Sequence, residues 1–274
     1  GLGCEFRAFA LDRPDDIRSA LDGVSVVLNC AGPFVRTWRP LVAACLEARA
    51  HYVDITGEVD VFEGIAAIAP LAAAAGVLLL PGAGFDVVPT DCLAAHLAER
   101  LPSATRLQLG ITSSGRISHG TASTMIENQA RGGLVRRGGV LTEVPAAWRT
   151  RTIDFGDGRA RSTVTIPWGD VSTAWRSTGI GDIEVFAAAP AAAIRVLRMS
   201  RHLGWLLRRT PVTAAQRAFL RLRPAGPDDA ELARGSSRVW GRVEDDDGRS
   251  AEAVLRCPNA YLLTAQTALL ITRR

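Results

Sequence analysis

The chain has 274 residues, 47% of them apolar, which suits one large α/β domain or a nucleotide domain with a substrate domain. All 32 basic residues are Arg and the formal charge is only +4, which excludes chemistry through a lysine Schiff base; no basic patch interleaved with aromatics points to nucleic acid. The five cysteines (Cys4, Cys30, Cys45, Cys92, Cys257) lack metal spacing, and no signal peptide or long apolar run appears, so a soluble, cytoplasmic protein with reduced thiols is expected.

In chain order, Cys4 to Leu11 reads as a strand. Asp12-Arg13-Pro14-Asp15-Asp16 caps a helix through Ile17, Ala20 and Leu21, with acidic residues at its positive end. The stretch from Val24 to Glu58 is the organising unit. Val24 to Leu28 is a nearly continuous β-branched run, the pattern of a strand buried on both faces of a parallel sheet. Small residues and Pro33 then force a loop. Leu41, Val42, Cys45, Leu46 and Ala48 form a helical stripe, and Tyr52 to Ile55 is a second short strand ended by Thr56-Gly57-Glu58. This is a βαβ unit, and ligands of open α/β sheets sit past the carboxyl ends of such strands. Ordinary βα loops are the plainer alternative.

Val61 to Ala75 reads as a further helix stopped by Gly76, and Val77 to Leu80 as a buried strand. That strand leads into Pro81-Gly82-Ala83-Gly84-Phe85-Asp86, whose glycines admit close backbone approach, and into a helix from Asp91 to about Arg100. Asp91 as a simple cap is the competing interpretation. The character changes near residue 103. Mostly antiparallel strands are expected beyond it: Arg106 to Thr112, Thr150 to Asp154, Ser162 to Ile166, Ile183 to Ala187, and a hairpin of Arg238 to Glu244 with Ala251 to Arg256. The glycine-rich segment 131–139 reads as a loop, and Tyr261 to Ile271 as a helix.

No Ser/His/Asp triad is legible, and His51 and His96 suit core or surface positions. His119 differs, lying in a glycine-flanked loop with Thr121 and Ser123 just beyond it. That loop offers amides, hydroxyls and an imidazole to an anion or carbonyl, or merely caps a helix. Trp168, in Pro167-Trp168-Gly169-Asp170, offers a wall for a pocket. Over Ile194 to Arg209, Val196, Met199, Leu203, Leu206 and Leu207 share one helical side, and Arg195, Arg198, Arg201, Arg208 and Arg209 the other. Such a helix covers its own core, packs on a partner, or lies on an anionic membrane, here at the inner face of the plasma membrane.

At NCAGPF, HYVDITGE, PGAGFDVVPTD, SHGTAST and PWGDVSTAWRSTGIGDIEVF, the sequence resembles the saccharopine dehydrogenase-like NADP-binding oxidoreductases. Their bacterial branch includes trans-acting enoyl reductases of lipid biosynthesis. The resemblance implies an α/β fold: an incomplete Rossmann-type parallel sheet over 1–102 and an α+β substrate and dimerisation domain over 103–274. It implies NADP as cofactor, a homodimer, and hydride transfer to or from a small or lipid-like substrate at an enoyl or imine group. A catalytically silent binding or scaffold protein is the alternative. By position, Asn29, Ala31, Gly32 and Pro33 line the cofactor. Thr56, Gly57 and Glu58 lie beside its nicotinamide end, and Gly84, Phe85 and Asp86 near the domain junction. His119, Thr121, Ser123 and Trp168 bound the substrate pocket. No catalytic residue or metal site is implied. Relatives open with a strand, a GxxGxxG turn, a helix and a second strand, and close with a Pro/Gly-rich tail; against that pattern the chain is expected to be truncated at both ends. NADP binding is then expected to be weak, because the glycine turn carries the phosphates.

Overall fold

The computed structural model describes residues 5–116, 118, 120, 132–199 and 226–274. Helix α1 (Pro14–Ala20) leads to strand β1 (Val26–Asn29), α2 (Phe34–Ala48) and β2 (His51–Asp54). Helices α3 (Val59–Ala67) and α4 (Ala69–Ala75) precede the short β3 (Leu79–Leu80). The three strands form one parallel sheet in the order β1-β2-β3, with Asn29 level with Asp54. On α2, Trp38, Leu41, Val42 and Cys45 recur at helical spacing and are buried against Tyr52, Val61 and Ile65. Arg49 ends that helix in the left-handed region, donating its amide to the Cys45 carbonyl.

The second, eight-stranded sheet is mixed. Helix α5 (Val88–Arg100) leads into β4 (Arg106–Ser113), β5 (Gly133–Arg137), β6 (Val140–Val144), β7 (Thr150–Asp154) and β8 (Ala160–Thr165). Then come α6 (Asp170–Thr178), β9 (Asp182–Ala188), α7 (Ala191–Met199), α8 (Asp229–Arg234), β10 (Ser236–Glu244), β11 (Ser250–Pro258) and α9 (Ala260–Thr272). The main path is β11-β10-β4-β9-β5-β6, with β7 and β8 attached through β9. The expected hairpin is present as β10–β11, Glu244 opposite Ser250. One pair departs from the antiparallel expectation: β4 and β9 run parallel. Leu93, Ala94 and Leu97 of α5 share a core with Leu107, Leu109, Val239 and Val243, so this helix packs on the second sheet.

Several expectations change. Residues 5–10 are not a strand. A strand needs a neighbour for its amides and carbonyls, and no described strand lies beside them. For the same reason β1, flanked among the described strands by β2 alone, is half-buried along Val26, Val27 and Leu28 instead of buried on both faces. The expected helix over 61–75 is two, because Pro70 starts α4 afresh; Gly76 does end it, at φ 68. Segment 131–139 is not all loop: β5 and β6 pair around Gly138 and Gly139, at φ 52 and 81. Asp91 is not a cap: α5 starts earlier, after Val87. The Pro167 to Asp170 loop runs directly into α6.

Of the amphipathic segment from Ile194, only the part up to Met199 is among the described residues. Ile194 is buried with Ala147 and Val164, while Val196 and Met199 are 68% and 69% exposed. Leu203 to Arg209 lie outside the described residues, as do His119, Thr121 and Ser123. No described helix is long and apolar enough to cross a membrane.

Candidate functional site: the strand-end loops

The parallel register brings Asn29 and Asp54 side by side at the carboxyl ends of β1 and β2. Both are buried, and both are spent on holding the loops that follow. The Asn29 amide donates to Thr37 Oγ1 at 3.1 Å and to the Tyr52 hydroxyl at 3.0 Å, while its Oδ1 accepts from Ala31 N at 3.0 Å. Asp54 accepts from Tyr52 OH at 2.9 Å, Thr56 N at 3.0 Å and Gly82 N at 2.9 Å. One carboxylate therefore joins the loop after β2 to the loop after β3. Burial pushes it up to about 6 although these donors oppose the shift.

Glu58 closes the set in a way the sequence did not suggest. Its two oxygens accept from Phe34 N and Val35 N, each at 2.9 Å, so it neutralises the first turn of α2 from 23–24 residues away. The amides of that turn, an anion site in principle, are thus already taken. Thr56 is fully buried and accepts from Glu58 N at 3.0 Å. Beyond β1, by contrast, Cys30, Ala31 and Gly32 are exposed, Pro33 is half-buried, and the Gly32–Pro33 peptide is cis.

The three loops meet on glycine. A Cβ on Gly57 would lie 2.5 Å from Asp86 Oδ2 and 3.0 Å from Asp86 Cβ, so the carboxyl rests directly on the Gly57 backbone. Phe62 fits between Gly82 and Gly169, where added Cβ atoms would meet its ring at 2.8 Å in each case. Helix α9 braces the same loop: Phe85 N donates to Thr264 Oγ1 at 3.0 Å, and Thr267 Oγ1 donates to the Ala83 carbonyl at 2.6 Å. Gly84 and Phe85 are consequently buried. Asp86 is half-buried, and burial pushes its carboxyl up to about 6. Trp168 is half-buried beside this junction.

Asp170, one residue past Gly169, is fully buried, and neither of its oxygens has a hydrogen-bond partner among the described residues; nor does the Trp168 indole N–H. Burial drives Asp170 well above the usual carboxylate range, and Asp91 and Asp86 push in the same direction against Thr90. The Thr90 hydroxyl itself donates to the Val87 carbonyl at 2.9 Å, which leaves little for Asp170. Asp170 keeps its proton longer folded than unfolded, so its contribution to stability is present at low pH. That contribution is lost as pH rises above the unfolded value, near 4. Urea denaturation across pH should show Asp170→Asn with a shallower decline above pH 4 than the parent; equal slopes would count against a buried, unpaired carboxyl.

Of the residues expected at the site, Asn29, Ala31, Gly32, Pro33, Thr56, Gly57, Glu58, Gly84, Phe85 and Asp86 are brought to one end of the parallel sheet. Their roles divide: Asn29, Thr56 and Glu58 use their polar groups internally, while Ala31, Gly32 and Asp86 face outward at least in part. Asp54, Tyr52, Asp170 and Thr264 were not singled out by sequence. For Asp54 the signal was available, as an acidic residue ending an apolar strand.

No family model matches the chain. It is 34% identical over 95 residues to the trans-acting enoyl reductase of Mycobacterium ulcerans, covering 32% of this chain and 21% of that protein. It is 38% identical over 68 residues to the human saccharopine dehydrogenase-like oxidoreductase, covering 24% of this chain and 16% of that protein. The matches thus span about a fifth of these curated relatives. Among solved structures, the L-Glu-forming saccharopine dehydrogenase of Saccharomyces cerevisiae superposes with a TM-score of 0.60 over 96% of this chain and 79% of that one, at 9% identity. That likeness concerns the fold alone. In sequence over about a third of its length, and in fold over nearly all of it, the chain is similar to the saccharopine dehydrogenase-like oxidoreductases, a group whose named relatives include trans-acting enoyl reductases.

Proposed function

We propose that this chain works in an NADP-dependent oxidoreductase, with reaction at the loops after β1, β2 and β3. The substrate is a small or lipid-like molecule reduced at an enoyl or imine group. The observation that carries this reading is the half-buried Asp86 carboxyl resting on Gly57, at the end of a parallel sheet where cofactors of such folds lie. The exposed backbone of Ala31 and Gly32 fits the flat approach of a ribose or nicotinamide ring. Phosphates do not fit at α2, whose first amides serve Glu58. The reduced dinucleotide, when bound, would supply the hydride. Reduction of a double bond also consumes a proton, and a carboxyl raised to about 6 is suited to deliver one near neutral pH. Asp86 is assigned that step.

Fluorescence titration with NADPH and NADH tests the cofactor. Saturable but weaker-than-micromolar binding is expected, abolished by Gly32→Val, which sets a branched side chain where backbone meets ligand. Turnover of enoyl and imine compounds tests the acid: Asp86→Asn should lower the rate on the order of 100-fold and remove the ionisation near pH 6 from the pH profile. No saturable binding of either nucleotide would favour a silent binding or scaffold protein, a reading that gains from the internal use of Asn29, Thr56 and Glu58.

A further inference from the structure

Thr264 and Thr267 lie three positions apart on α9, hence on one face, and both hydroxyls reach the loop between β3 and α5. Ala83 and Phe85 of that loop are buried, so their backbone groups need partners from the protein. Thr264 Oγ1 accepts from Phe85 N at 3.0 Å, and its own O–H donates to the Ala260 carbonyl at 2.9 Å, which turns the free lone pair towards the loop. Its methyl fills the space against Gly84, where an added Cβ would lie 3.0 Å from Thr264 Cγ2. We propose that Thr264 is the positioning residue for the Asp86 carboxyl: by holding the Phe85 amide, it sets Asp86 against the Gly57 backbone. The consequence for proton delivery rests on the function proposed above; the placement does not.

The loop is pinned at both ends by other groups. Gly82 N and Ala83 N donate to Oδ1 and the carbonyl of Asp54, at 2.9 and 2.7 Å, and fix its entry. Val87 N and Val88 N donate to the Gly84 carbonyl, at 3.2 and 2.9 Å, and close the turn into α5. Asp86 sits inside that turn, and the Phe85 amide one residue before it is held from α9 alone. Among the described residues no hydrogen bond reaches the Asp86 carboxyl, and burial by itself raises it, so its place is set by the backbone that carries it. Asp170, on α6, is the ionisable group that feels its charge. Without Thr264 Oγ1 the buried amide has no acceptor, and Phe85 turns to find one in water, lifting the carboxyl off Gly57.

Carbon NMR of labelled aspartate, with Asp86→Asn and Asp170→Asn identifying the two signals, reads the Asp86 ionisation without nucleotide or substrate. The parent should titrate near 6. Thr264→Val keeps the shape but accepts no hydrogen bond; it should lower that midpoint by at least about 0.5, roughly a threefold change in ionisation constant, as the carboxyl moves towards water. Thr264→Ser, which keeps the acceptor, should hold the parent value. Thr267→Val removes the bond to the Ala83 carbonyl, three residues before Asp86, and should leave the midpoint in place. If Thr264→Val does not fold, Thr264→Cys, whose sulfur accepts only weakly, replaces it with the same expectation. An unmoved Asp86 midpoint in the Thr264 variant, or an equal shift in Thr267→Val, would overturn the proposal. In turnover, Thr264→Val should lower kcat about tenfold and leave KM for NADPH unchanged. A shifted midpoint with kcat intact would overturn Asp86 as the acid while leaving its placement by Thr264 standing.

Discussion

Asp54→Ala is expected to cost roughly 3–5 kcal/mol, because it strands three buried donors, Tyr52 OH, Thr56 N and Gly82 N, at about 1–3 kcal/mol each. The sum is reduced by relief of the burial that raises this carboxyl. Asp54→Asn is the informative comparison. Its remaining carbonyl oxygen still accepts from Thr56 N and Gly82 N, so only the Tyr52 contact is disturbed, at about 1 kcal/mol. Urea denaturation should separate the two variants clearly. An Ala variant within about 1 kcal/mol of the parent would mean that the α9 contacts at Phe85 and Ala83 hold the loops without Asp54.

Gly82→Ala is expected to cost about 3 kcal/mol or more, against about 1 kcal/mol for Gly76→Ala. Both glycines lie in the left-handed region, at φ 83 and 68, so both substitutions carry the same backbone penalty. They differ in surroundings. A Cβ on Gly76 meets nothing within 4 Å, whereas one on Gly82 lies 2.8 Å from the Phe62 ring and 3.1 Å from Val87 Cγ2. The ring cannot retreat without pressing on Gly169. Since Gly82 N is also held by Asp54, the double variant Asp54→Ala/Gly82→Ala should lose less than the sum of the two. Equal costs at positions 76 and 82, measured by thermal unfolding, would show that the loop relaxes and that the Phe62 contact is soft.

Local patterns of residues determined much of the architecture. The βαβ unit, the Gly76 stop and the β10–β11 hairpin follow from periods of 2 and 3.6 and from turn glycines, each element read from its own short stretch of chain. The same patterns placed the candidate loops at strand ends. What they could not supply was pairing across distance. Residues 5–10 have a strand-like composition but no described strand beside them, and Asp91 resembles a cap where the helix has already begun. Phe34 and Glu58 are 24 positions apart, and Phe85 and Thr264 are 179 apart, yet each pair shares a hydrogen bond that fixes the site. Only the tertiary structure decided that Glu58 serves a helix terminus, that Asp86 lies on Gly57, and that the Asp170 carboxyl is fully buried. The first of these depends on which backbone groups remain unsatisfied after the sheets and helices have formed, the other two on how distant side chains pack, and no local window of sequence contains either quantity.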